Sequence, residues 1–160
     1  METTSARLWK RLPAADRLAA AAHFWREAPE AMVPAALAAI VGARKVRPQV
    51  VRTWGDEERA RGLSQVLDLG EPLASSLLVA LHVGARRAML VGFLDAAGIA
   101  HEDGLLKEDD GTPVTEDAAR AGVEALRAAW PAAQVDVYLN TLWLQDPDRW
   151  GALEPLLGAP

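Results

Sequence analysis

Chemistry in this chain has to come from a short roster of side chains. There are three histidines, His23, His82 and His101, and no cysteine. Thiolate metal sites, disulfides, iron–sulfur clusters and a cysteine nucleophile are therefore excluded together. His101 opens the run HEDGLLKEDDGTPVTED, residues 101–117, which holds seven acids and one base. Its carboxylates are hard oxygen donors beside one imidazole, a set suited in principle to Ca²⁺, Mg²⁺ or a transition metal. An EF-hand loop fails on spacing. With Gly111 at loop position six, Leu106 stands where an aspartate is required, and with Gly104 there, Ile99 does. His101, Glu102 and Asp103 are the candidate ligands for a metal or small molecule. The expected state of the run is nonetheless a solvated acidic loop, with no metal and no cofactor.

The other histidines give no metalloprotease spacing, since neither H-x-x-x-H nor H-E-x-x-H occurs. His82 falls within a predicted helix, where a buried ring donating to a carbonyl is expected rather than a general base. An Asp95 or Asp103 carboxylate paired with an imidazole would orient it, but spacing alone does not bring them together. Ser64, Ser75 and Ser76 are predicted to be helical and lack the G-x-S-x-G turn that exposes a nucleophile. No P-loop or dinucleotide-binding glycine pattern is present. Catalysis thus has little foothold, and no catalytic residue is assigned.

Basic and aromatic residues offer binding instead. Arg44, Lys45, Arg47 and Arg52 fall close together, with Arg59 and Arg61 following and Arg86 and Arg87 as a second pair. Two short helices over Arg47–Leu67 would suit helix–turn–helix DNA recognition. Asp56, Glu57 and Glu58 interrupt that stretch, and the chain is acidic overall, so nucleic acid is not expected. Six tryptophans are present. Burial is the default for such rings, but Trp is also a preferred interface anchor. Trp9 and Trp54 are flanked by charge and are expected to be partly exposed. With Arg86, Arg87, Glu108, Asp109 and Asp110 they form the expected partner-binding set.

The elements that position these groups are helices. Ala numbers 32 and Leu 22, against 13 Val, 2 Ile and 6 Thr. That balance favours helix over strand. Prolines and glycines punctuate the chain. The spacing predicts helices over Ser5–Leu12; Pro13 to about Glu27, burying Leu18, Ala21, Ala22 and Trp25; and Glu30 to about Lys45. The third is apolar nearly all round and is expected to be a central buried helix. A short turn or helix at Gln49–Trp54 and a helix near Glu57–Leu67 follow. A long helix from Glu71-Pro72 to Ala97 then places Gly84, Ala88, Gly92 and Ala96 on one small-residue ridge. Residues 99–115 break the pattern, with Asp110-Gly111 as the turn of a small ribbon between Leu105-Leu106 and Pro113-Val114. Thr115 caps a helix to about Trp130. A helix near Gln134–Gln145 and a last one opened by Pro147 complete the chain.

The expected fold is all-α: a single-domain bundle of six to eight helices, residues 1–160, with a short acidic irregular loop or β-ribbon near 99–115. The helices centred on Val79–Leu94 and Met32–Ala43 are expected to form its core. The N-terminal residues do not read as a signal peptide. The uncharged stretch Ala31–Ala43 is too short to cross a bilayer. A cytoplasmic protein without a membrane partner is expected. Net charge is −5, and it is concentrated. Residues 1–100 sum to +3, 101–117 to −6 and 118–160 to −2. The leading functional expectation is a non-enzymatic interaction or accessory module with a protein partner or a second copy of itself. The alternative is a small helical enzyme or metal or ligand binder built on His101, Glu102 and Asp103, with His82 converging. A DNA-binding regulator is third.

Overall fold

Helices dominate because Ala and Leu supply propensity while Pro and Gly set the ends. A computed structural model describes residues 2–107 and 111–158. Among the described residues there are nine α-helices, one 3-10 helix and one two-stranded ribbon, so the all-α class holds. Asp109 and Asp110, like Glu108, lie outside the described residues. The chain divides into two compact units, Met1–Ala85 and Arg86–Pro160.

The first unit contains α1 (Ser5–Arg11), α2 (Ala14–Glu27), α3 (Val33–Arg44), α4 (Pro48–Arg52), α5 (Asp56–Ser64) and α6 (Glu71–Val83). Helix α2 packs on α5 and α6, and α1 packs on α6. Their shared core includes Trp9, Phe24, Trp25, Leu63, Leu77 and Leu81. The buried face of α2 is Ala20, Ala21, Phe24 and Trp25. The expected Leu18 is 41% exposed, because α5 and α6 together take the face on which Phe24, not Leu18, lies. Trp9 is also a correction. It is fully buried, and its indole N–H donates to the Val66 carbonyl at 2.8 Å. The charged residues beside it in sequence point elsewhere on the helix, so it is a core residue and not an anchor.

Helix α3 departs furthest from expectation. Only Ala36 and Ile40 of it are buried. It packs chiefly on α4 and α5, so much of its apolar surface stays partly or fully exposed.

Helix α1 has only seven residues and is held from outside. Its first-turn donors are met by the Glu71 carboxylate, which accepts from the Ser5 N–H at 3.0 Å and the Ala6 N–H at 2.8 Å. Thr4 Oγ1 accepts from the Arg7 N–H. Burial pushes the Glu71 carboxyl up, but the Ala6 and Ser5 N–H groups and the Thr4 and Ser5 hydroxyls outweigh it and hold it below its ordinary range. A lowered carboxyl pKa means stability that is present above the unfolded-state value, about 4.3, and lost as pH falls through the folded value. Glu71→Gln is therefore expected to cost about 0.5–1 kcal/mol at pH 7, the range for exposed capping bonds. The cost should shrink as pH falls from 7 to 3, as the carboxyl protonates. Urea midpoints of both proteins at the two pH values check this; an equal difference at both would sink it.

The second unit contains α7 (Arg87–Ala97), β1 (His101–Glu102), β2 (Leu105–Leu106), α8 (Glu116–Ala129), α9 (Ala132–Gln145) and a 3-10 helix at Gly151–Leu156. The expected long helix from Glu71 to Ala97 is thus two helices. The chain leaves helical geometry at Gly84, whose φ/ψ is −94°/−99°. The small-residue ridge dissolves with it. A Cβ on Gly84 would meet His23 Cγ at 2.6 Å and the Ala80 carbonyl oxygen at 2.9 Å, whereas one on Gly92 would meet nothing within 4 Å. Core residues Phe93, Val123, Leu126, Tyr138, Leu139 and Trp150 come from α7, α8, α9 and the start of the 3-10 turn. Burial pushes the Tyr138 phenol well above its ordinary range, so the ring stays neutral. Thr115 caps α8 as expected, its Oγ1 accepting from the Ala118 N–H at 3.2 Å.

The ribbon is real but displaced. His101 pairs with Leu106 and Glu102 with Leu105, antiparallel. The turn is Asp103-Gly104, with φ of +50° and +89°. Both central residues therefore take the positive φ that two-residue hairpin turns demand. A Cβ on Gly104 would lie 2.9 Å from Leu90 Cδ2, so close packing also reserves this position for glycine. Leu105 and Leu106 pair backwards with 101–102 rather than forwards with Pro113-Val114.

Candidate functional site

The candidate site lies on the first unit, where α4 runs into α5. Pro48 starts α4, and the helix lasts only five residues. Its last carbonyls are taken by Arg59 of α5, which donates from Nε to Val51 at 3.3 Å and from Nη2 to Arg52 at 2.9 Å. The same guanidinium lies 5.4 Å over the Trp25 ring. Arg59 is thus a fastening that fixes α4 on α5, not part of a free basic surface. The fastening delivers Trp54, two residues past α4, onto the face of α5 at Gly62. A Cβ on Gly62 would stand 3.1 Å from Trp54 Cζ3 and 3.4 Å from Ile40 Cγ2. The bare backbone there lets the indole approach closely.

Trp54 remains half-exposed. The Arg44 guanidinium sits 5.9 Å over its ring and donates to Gln65 Oε1 at 2.6 Å. Arg61 pairs with Glu57 one turn away at 3.2 Å. Arg44, Trp54, Glu58 and Arg61 line a cleft of about 250 Å³. Two guanidinium groups and one carboxylate around an aromatic floor favour an anion carried on an apolar stem. Guanidinium forks match carboxylates in two-point geometry. The Arg61–Glu57 pair is exposed and worth only about 0–1 kcal/mol, so a ligand carboxylate can displace it. The lining has no imidazole, hydroxyl or thiol, and Glu58 supplies its one carboxylate. Lys45, Arg47 and Arg52 are exposed but are not part of the lining.

The acidic loop resolves into a clasp. Gly104 N–H donates to His101 Nδ1 at 3.0 Å. That nitrogen must accept, so the proton of the neutral ring resides on Nε2, which donates to Asp95 Oδ1 at 2.6 Å. The His101 side chain is only 10% exposed. Both nitrogens are committed to holding the hairpin on the C-terminal turn of α7. Asp103 Oδ2 accepts from Arg87 Nη1 at 2.8 Å, and Glu102 is exposed. The three candidate ligands therefore diverge, and among the described residues no group of three His, Asp or Glu side chains is placed to hold a metal.

The remaining predicted residues scatter. His82 is buried, and its Nδ1–H donates to the Leu78 carbonyl at 2.8 Å, as expected of a core histidine. Arg86, expected at a partner surface, is 6% exposed. It sits at the N-cap position of α7, so its location between helices withdraws it. Arg87 is half-exposed and tied to Asp103. His23 lines a shallow groove of about 190 Å³ between α2 and α6 with Glu27, Ser76 and Val79. Arg149, also buried, borders a cavity of about 400 Å³ with Thr112, Val114 and Thr115. Of the sequence-predicted partner residues that are among the described ones, Trp54 alone stands in a cleft with basic neighbours. Arg44 and Arg61 were visible as part of a basic cluster, but not as its two relevant members. Gly62 carried no sequence signal, because glycine inside a helix marks close approach without naming what approaches. Comparison with protein-family models, with curated proteins and with solved structures finds no match. No single helix among the described residues is long and apolar enough to cross a membrane.

Proposed function

We propose that the chain is a non-enzymatic protein-interaction module, acting in the cytoplasm, whose first unit takes an acidic segment of a partner protein into the Arg44–Trp54–Arg61 cleft. The observation that carries this is the Trp54 ring, half-exposed, pinned on Gly62 and overlaid by a guanidinium. Exposing a large ring costs free energy in water, and a pinned ring loses little entropy on binding. The flanking charge supplies orientation and association rate. DNA recognition is disfavoured by Asp56, Glu57 and Glu58 in the first turn of α5, the end that a recognition helix turns into the major groove of the polyanion.

The test uses a capped, fluorescein-labelled dodecapeptide of Glu with two Leu residues, titrated with the full chain and read by anisotropy. Wild type is expected to bind at low salt and to weaken markedly between 50 and 300 mM salt. Trp54→Ala and Arg44→Glu are each expected to weaken binding about 10-fold or more, about 1.4 kcal/mol. Binding that is indifferent to both substitutions, or the same for a Lys-for-Glu peptide, would overturn the assignment.

A further inference from the structure

Resting on that assignment, we infer that the partner segment is an amphipathic α-helix with one acidic edge, laid along the uncovered face of α3 with its end in the Trp54 cleft. The starting observation is a mismatch between sequence and burial. Residues 31–43 contain no polar or charged side chain, yet α3 buries only Ala36 and Ile40.

Helical spacing organises what is left. Val33, Leu37, Val41 and Arg44 follow at i, i+4, i+8 and i+11, one stripe along one face. Val33, Leu37 and Val41 are half-exposed, and Ala38 beside them is exposed. The stripe ends on Arg44, whose guanidinium overlies Trp54. The apolar track and the cleft are therefore one surface. Its length from Val33 to Arg44 is about 16 Å at 1.5 Å per residue, or roughly three turns of a partner helix.

Charge selects the occupant. The track has no charge of its own, while the cleft at its end is lined by Arg44 and Arg61 against the single carboxylate of Glu58, a net positive charge. An apolar helix face with carboxylates along one edge satisfies both parts at once, the groove mode of helix recognition. A purely acidic peptide would leave the α3 track uncovered, and a basic amphipathic helix would be repelled at the cleft.

Three labelled 14-residue peptides test this against the full chain: a helical Leu/Glu peptide, its Lys-for-Glu counterpart, and a Glu/Ser peptide without Leu. The Leu/Glu peptide is expected to bind at least 10-fold tighter than either control. Leu37→Glu and Val41→Glu are expected to reduce its binding at least 10-fold. Ala38→Glu, at an exposed position that folding does not depend on, should reduce it by several-fold. Equal binding of the Leu/Glu and Glu/Ser peptides, or α3 variants that bind as wild type while Trp54→Ala and Arg44→Glu fail, would overturn the helix track and leave the cleft assignment standing. Loss of sensitivity at Trp54 and Arg44 as well would overturn both. Binding to phosphatidylserine vesicles without binding of the Leu/Glu peptide, or Leu37-dependent self-association that the peptide cannot displace, would also overturn it in favour of a membrane surface or a second copy.

Discussion

Phe93→Ala is expected to destabilise the second unit by about 3–5 kcal/mol, the range for deleting a buried aromatic ring. The ring is fully buried. It meets Tyr138 edge-on at 5.5 Å and 69°, and Trp150 at 5.9 Å and 57°. On its remaining side α8 offers Gly122, where a Cβ would stand 2.6 Å from Phe93 Cε2. The ring thus fills the space of a side chain that α8 lacks, and no neighbour can collapse into the vacancy without leaving another contact. The same geometry predicts coupling. Gly122→Ala alone should cost about 1–3 kcal/mol by overpacking, despite its better helix propensity. In Phe93→Leu/Gly122→Ala the added methyl enters space the smaller residue has left, so the double variant should lose less than the sum of the two singles. Denaturant unfolding of the four proteins measures the cycle. A loss below 1 kcal/mol for Phe93→Ala, or strict additivity, would contradict the packing.

Trp9→Ala is expected to have an effect of similar size, about 3–5 kcal/mol, on the first unit. Two contributions separate here. The ring is fully buried between α1 and its neighbours, and its N–H satisfies the Val66 carbonyl in the loop after α5. Trp9→Phe keeps most of the apolar contact and orphans that carbonyl, so it should cost about 1–3 kcal/mol. The difference between the two variants measures ring burial. A near-neutral Trp9→Phe would mean that water reaches Val66, and a near-neutral Trp9→Ala would place the ring outside the core.

Much of the local architecture was readable from residue types. Pro13, Pro48 and Pro72 start helices α2, α4 and α6, Gly98 ends α7, and Thr115 caps α8, because φ restriction, positive φ and hydroxyl capping are properties of single residues. The buried face of α8, Ala119, Val123 and Leu126, followed from a 3.6-residue period with charged residues opposite. His82 donating to a carbonyl one turn back needed nothing beyond helix geometry.

The failures share a cause. Residues 31–43 express a strong preference for burial, but burial requires other elements to arrive, and α4 and α5, the main ones that do, bury only Ala36 and Ile40. Two Asp-Gly pairs carry equal turn propensity. The hairpin formed at Asp103-Gly104, where Leu90 packs against the glycine. Trp9 and Trp54 both have charged neighbours in sequence. One became core because α6 lies against α1, and the other stayed half-exposed because its floor is the bare backbone of Gly62.

Sequence by itself determined that this chain is helical, where most helices begin and end, and that its negative charge is concentrated between residues 101 and 117. Those are local quantities, set by backbone propensity and composition. Tertiary structure decided which apolar surfaces are covered, and that His101 is a clasp with both nitrogens engaged rather than a ligand. It also decided that, of six clustered basic residues, Arg59 fastens helices while Arg44 and Arg61 flank an open aromatic ring. Each of these depends on which side chains meet across the fold, and propensity and period fix only directions within one element.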